Sequence, residues 1–216
     1  MSALQTYTGD ELSYSWDESQ KPKAAGLFDV RPPGVPFNAK PIYDADLDCI
    51  IGYQQEVAGV SRIYGLDGHV SVSEKPLESP LFDPLDVLFM VGGFWRAGLR
   101  GLTEWGIKGI GSQIGRATLY GLRARYYALV QRPVRFSAKA LEHMMDPDRF
   151  VPLHILRLAV KYGSRIPDPR NRPGLYMYEI AMSRLGAYQV GKKYVLEVLV
   201  NEKDYIIYHF KYDVRK

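Results

Sequence analysis

From residue 137 to residue 213 the apolar residues change their repeat from helical to strand-like, and no other feature limits the fold as much. Ser137 is a helix-capping residue type, and it predicts a helix over 138–145 that Asp146-Pro147 breaks. Phe150, Leu153, Ile155, Leu156, Leu158, Ala159 and Tyr162 then line one face of a second helix, with Gly163 at its end. A polar loop over 165–174 follows, and after it three apolar runs predict strands over 175–184, 193–201 and 205–213. Gly186 and Gly191 separate the first two strands, and Glu202-Lys203-Asp204 the last two. Links this short join antiparallel neighbours. The expectation is an α+β unit over 132–216, two helices packed on a small antiparallel sheet.

The residues before it follow other rules. Arg31-Pro32-Pro33-Gly34-Val35-Pro36 cannot continue a helix or a central strand, so residues 1–41 are expected as an extended Pro-rich arm. Short strands are predicted over 42–78, with Gly65-Leu66-Asp67-Gly68 as a hairpin turn and His69 as a solvated turn residue. Pro80, Asp83, Pro84 and Asp86 mark a boundary. Residues 87–131 read as helical but carry nine glycines. Each interior glycine weakens an isolated helix by about 1 kcal/mol, so this segment needs a partner surface. Three parts are therefore expected: an acidic arm with a small β region over 1–86, a Gly-rich helical connector over 87–131, and the α+β unit.

Charge divides along the same line. Residues 1–89 hold 6 Lys+Arg and 14 Asp+Glu, a formal −8, while residues 90–216 hold 22 and 10, a formal +12. A basic half draws polyanions, and an acidic half can shield it or face another partner. The single cysteine, Cys49, excludes a disulfide framework and a Cys-rich zinc module. The N-terminus has no secretory-leader pattern, and the longest uncharged apolar piece, 87–95, falls far short of the ~20 residues that span a bilayer. The expectation is a soluble chain made in the cytoplasm, with no stable membrane span.

Gly-rich phosphate loops, His-Glu-x-x-His and Gly-x-Ser-x-Gly are missing from the sequence. Glu197 is followed by Val198-Leu199, so the carboxylate-x-Lys pattern of metal nucleases fails, and four scattered histidines do not make a zinc site. Neither a metal nor a cofactor is expected. The basic unit does carry groups suited to metal-free RNA cleavage. That reaction needs a base for the 2′-OH, an acid for the leaving 5′ oxygen and donors on the phosphorane. His143, His209, Arg165 and Tyr178 are the catalytic candidates, and Lys139, Arg170, Arg172, Tyr176 and Lys193 the substrate-binding ones. Strand alternation sets His209 on the face of Tyr205, opposite Tyr208 and Phe210. Glu197, the lone charge inside its strand, either orients a base or pairs with a buried cation. Each candidate also has a purely structural reading: core histidines and tyrosines, and loop arginines that hold a turn through Asp168.

Several runs resemble the toxin tips at the C-termini of bacterial polymorphic toxins of the Rhs and contact-dependent inhibition type. They are Phe136-Ser137-Ala138-Lys139-Ala140-Leu141-Glu142-His143-Met144, Arg149-Phe150-Val151-Pro152-Leu153-His154-Ile155-Leu156, Arg165-Ile166-Pro167-Asp168-Pro169-Arg170, Pro173-Gly174-Leu175-Tyr176-Met177-Tyr178 and Tyr208-His209-Phe210. Asp83-Pro84-Leu85-Asp86 before a Gly-rich stretch is similar to the junction that precedes such tips. The resemblance spans 80–216, most strongly 136–213, and leaves 1–80 without a counterpart. It implies a ribonuclease fold of the barnase/EndoU/colicin/RelE kind, with His143, Arg165 and His209 at active-site positions. It also implies cleavage of tRNA or rRNA, an acidic immunity protein, and delivery by a larger secreted toxin into the cytoplasm of a target bacterium. Two rival readings are a membrane-active toxin built on 87–131, with Trp95 and Trp105 as interfacial anchors, and a non-catalytic nucleic-acid-binding module.

Overall fold

The computed structural model describes residues 12–23, 26–74, 114–131, 133–185 and 192–215. The boundary at 79–86 and the Gly-rich stretch up to residue 113 lie outside them. What is described is an α+β architecture of two sheets and three helices. In chain order the strands are β1 (Ser13–Ser15), β2 (Leu27–Asp29), β3 (Lys40–Asp44), β4 (Cys49–Val57), β5 (Val60–Gly65), β6 (Val70–Glu74), β7 (Arg135–Ser137), β8 (Ser164–Pro167), β9 (Leu175–Leu185), β10 (Lys193–Asn201) and β11 (Ile206–Val214). The helices are α1 (Arg116–Val130), α2 (Ala138–Met145) and α3 (Leu153–Tyr162).

The larger sheet runs β1-β7-β11-β10-β9-β2, with β8 also paired to β9. Alternation along β9 and β10 places Tyr178, Met182, Tyr194, Leu196, Val198 and Val200 on one face, where α3 covers them, while α2 lies on β11 and β7. Ser137 starts α2 as read from the sequence: its Oγ accepts from the Ala140 N–H at 3.2 Å and donates to the Tyr208 carbonyl at 3.0 Å. α3 runs straight into β8 through Gly163. A Cβ there would collide with the Ala159 carbonyl oxygen, so no larger residue fits. β3 to β6 form a separate antiparallel meander, and the β5–β6 turn falls at 66–69, one residue later than the 65–68 expected, because Gly65 still belongs to β5. α1 packs on that meander through Leu122, which joins Ile42, Cys49, Ile51 and Ile63 in a second core.

Several expectations need correction. The main sheet is larger than a small antiparallel one and is not wholly antiparallel, since β7 pairs parallel with β11. Residues 165–167, expected as loop, belong to an edge strand on β9, Ser164–Pro167, where Pro167 needs no ladder N–H. β11 begins at Ile206 because Tyr205 takes a left-handed conformation, φ 52°. Residues from before 86 and after 131 also pack together. β1 and β2 come from the Pro-rich arm yet occupy the two ends of the main sheet. Phe28, Tyr53 and Tyr64 share one core with Phe150, Leu158 and Phe210. Buried Asp29 accepts the Tyr53 hydroxyl at 2.5 Å, and Arg31 stands 3.8 Å from its carboxylate. The arm is short of apolar residues, but the few it has are placed at sheet edges, where backbone pairing supplies the rest.

Candidate active site

β7 pairs with only the first two residues of β11, Ile206 and Ile207, so beyond them the edge carbonyls of β11 need other partners. α2 supplies them. Ser137 takes the Tyr208 carbonyl, and His143 Nδ1–H donates to the Phe210 carbonyl at 3.2 Å. A carbonyl only accepts, so the proton sits on Nδ1 and Nε2 presents a lone pair. Arg149 Nη1–H donates to that lone pair at 2.9 Å. His143 is 3% exposed with both ring nitrogens engaged. It is a bracket between helix and strand rather than a base open to substrate.

His209 lies against it, ring centroids 5.0 Å apart and edge to face. Its position departs from simple alternation because β11 bulges at Tyr208: Leu199 pairs with His209 but Val200 with Ile207. Tyr208 therefore joins Leu175, Leu199 and Ile206 in a small cluster apart from the main core, while Phe210 stays in that core. The His209 ring is half-buried. Burial, chiefly, holds its pKa below the ordinary histidine value, with Lys211 and Arg149 adding to the effect and Glu197 opposing it. A neutral imidazole results, half-exposed, with Lys211, Arg149 and Glu197 around it. Glu197 pairs across the strands with Lys211 at 3.3 Å, and Lys211 also reaches Asp213 at 3.0 Å. Among the described residues no three His, Cys, Asp or Glu side chains gather within metal-binding reach.

Arg165, Tyr176 and Tyr178 form a second group. The Arg165 guanidinium lies flat over the Tyr176 ring, 3.4 Å from its centroid, and makes a two-pronged ion pair with Glu202 at 2.5 and 3.0 Å. Tyr178 donates its hydroxyl to the same carboxylate. Burial, then Glu202, pushes that phenol up to about 12, while Arg165, chiefly, holds Glu202 below the usual carboxylate range. The two groups do not converge. Arg165, Tyr178, Val198 and Phe210 stand in one row across four strands. Three strand spacings of ~4.8 Å put about 14 Å of backbone between Arg165 and the β11 end of that row.

The remaining candidates are scattered and mostly neutralised. Lys139 pairs with Glu142 on the surface at 2.7 Å. Arg172 is held by buried Asp168 at 2.6 Å and closes the loop before β9. Arg170 is exposed in that loop, and Lys193 is exposed at the start of β10. Part of the opposite charge on the two halves of the chain is spent internally. Arg123 on α1 binds Asp44 at 2.6 and 2.9 Å and Asp46 at 2.6 Å, and Arg125 binds Asp67 at 2.7 Å.

Two residues escaped the sequence reading. Arg149 lies six positions after His143, a spacing no single helix brings together. The turn after Asp146-Pro147 folds it back, through Phe150 N–H to the Asp146 carbonyl at 2.7 Å. Glu202 was legible only as a turn residue. Comparison with protein-family models, curated proteins and solved structures finds no match for the chain. Among the described residues no helix is long and apolar enough to cross a membrane.

Proposed function

We propose that the chain is a metal-independent endoribonuclease, the toxic part of an antibacterial effector delivered into the cytoplasm of a target bacterium and neutralised there by an acidic immunity protein. The observation that carries this reading is the pair His143–His209 at the open edge of β11, with Arg149 beside it. The resemblance of residues 136–213 to polymorphic-toxin tips supports it, as does the order of two helices followed by antiparallel strands. His209 is the catalytic residue: it is the solvent-facing imidazole, its lowered pKa keeps it ready to take the 2′-OH proton at neutral pH, and the leaving 5′ oxygen takes its proton from water. His143 is a positioning residue that fixes the edge of β11 and the direction of Arg149. Arg149 and Lys211 offset the charge of the phosphorane. Arg165, exposed and too far away for the reacting bond, holds the substrate strand instead, with Tyr176 under its guanidinium; Tyr178, buried, holds Glu202 in place.

The test is a digest of total tRNA and rRNA by the full chain in excess EDTA, with the new ends analysed. The expected products end in 2′,3′-cyclic phosphate. Loss of cleavage in EDTA, or 3′-hydroxyl products, would overturn the proposal.

A further inference from the structure

The arm, the β3–β4 turn and the start of α3 border a cleft of about 390 Å³. That volume falls within the ~300–1,000 Å³ of small-molecule sites. Pro22, Leu27, Phe28, Phe150 and Pro152 make its walls apolar. Lys21 and Lys23 stand in its lining, and α3 begins there at Pro152 with no side-chain cap and no acidic residue in its first turn. The first N–H groups of a helix and its dipole favour an anion at that end.

A second feature marks the site independently of the helix end. His154 lines the cleft, is only 4% exposed, and its Nε2 has no hydrogen-bond partner among the described residues. Cys49, also buried, lies in the same wall. Burial, chiefly, holds the imidazole uncharged down to about 3 and pushes the thiol up to about 12. The wall they form is therefore neutral, and the charge in the cleft belongs to the lysines and to Asp48. Asp48 is already engaged by the Tyr43 hydroxyl at 2.9 Å, while its pair with Lys21 is loose at 4.0 Å. A ligand acid group can displace Asp48 from Lys21, but a polyanion would face Asp48 with only two lysines to offset it.

We propose that this cleft binds a small organic acid, its apolar body between Pro22, Leu27 and Pro152 and its carboxylate at Lys21, Lys23 and the open start of α3. The arm and α3 meet across this ligand, so binding also fastens β2 to the main sheet. The test uses the full chain with 2-naphthoate as the probe and 2-naphthamide as its uncharged control. The ring-proton signals of the four histidines report where each binds. Saturable shifts of the His154 signals are expected, with those of His143 and His209 unmoved. Loss of a charged hydrogen-bonding partner typically weakens an interaction about tenfold or more, so naphthamide should bind that much more weakly. Lys21→Gln with Lys23→Gln should weaken naphthoate alike and leave naphthamide unchanged, and both lysines reach solvent, where the change does not disturb folding. Asp48→Asn, which frees Lys21, should tighten naphthoate. Equal binding of acid and amide, or no saturable shift at His154, would overturn the proposal.

Discussion

Acid should destabilise this protein through one imidazole more than through any other histidine. His154 is buried against Tyr126, ring centroids 5.4 Å apart, and burial first, then Lys21, lowers its pKa to about 3. In the unfolded chain a histidine titrates near ~6.5. Above that value both states are neutral and His154 contributes nothing to the pH dependence. Between ~6.5 and the folded value only the unfolded chain takes the proton, so stability falls with falling pH by about 1.4 kcal/mol per unit. From about pH 6.5 to about pH 4.5 the loss is ~3 kcal/mol, a large share of the ~5–15 kcal/mol that holds a domain together. His154→Phe keeps a ring against Tyr126 and removes both the titration and the unpartnered Nε2. Urea unfolding of both proteins across this range isolates the effect, because the carboxylates they share cancel. The variant should be at least as stable as the wild type at neutral pH, and its advantage should widen by about 1.4 kcal/mol per unit below pH ~6.5. A stability difference that does not change with pH would show that His154 takes up its proton equally in the folded and unfolded chain.

Three further outcomes follow from the packing. Ser137→Ala removes the cap of α2 and the bond to the Tyr208 carbonyl together and should cost about 1–2 kcal/mol in thermal unfolding; an unchanged midpoint would contradict it. Gly163→Ala forces a Cβ against the Ala159 and Glu179 carbonyls and should cost at least ~2 kcal/mol by urea titration, where a wild-type value would show that the α3–β8 joint yields. The fragment 132–216 loses β1 and β2, and with them Trp16 and Phe28, whose rings meet Phe150 at 6.2 and 6.5 Å. Truncating one such buried aromatic costs ~3–5 kcal/mol, so the fragment should lack a cooperative unfolding transition, and joining residues 12–31 to it should restore one; cooperative unfolding of the fragment at the full chain's midpoint would contradict this.

Local signals were legible wherever one residue does one local job. Ser137 could be seen to cap α2, Gly163 to end α3, and a turn between β5 and β6 within one residue of its place, because each depends only on its neighbours in the chain. Edge pairing was not legible. Leu27-Phe28-Asp29 is too short to show a strand period, and it forms one only because β9 offers an unpaired edge. The same limit hid the site. The pairing of His143 with His209 depends on a bulge at Tyr208, which shifts the register by one residue without any glycine to announce it. Arg149 reaches His143 through a turn, and Glu202 gathers Arg165 and Tyr178 from two other strands. Charge was misleading in a similar way, since a linear count cannot show that Arg123 and Arg125 face the acidic half of their own chain.

The ribonuclease reading stands on the division of labour between the two groups about 14 Å apart across the sheet. Initial rates of RNA cleavage in excess EDTA, compared for wild type, His209→Ala and Arg165→Ala over a range of substrate concentrations, test it most directly. With His209 as the base, its alanine variant should lose ~100-fold or more in kcat while its unfolding midpoint stays close to wild type. Arg165→Ala should raise KM and leave kcat largely intact. A wild-type kcat in His209→Ala, or a collapse of kcat in Arg165→Ala with His209 untouched, would contradict the account.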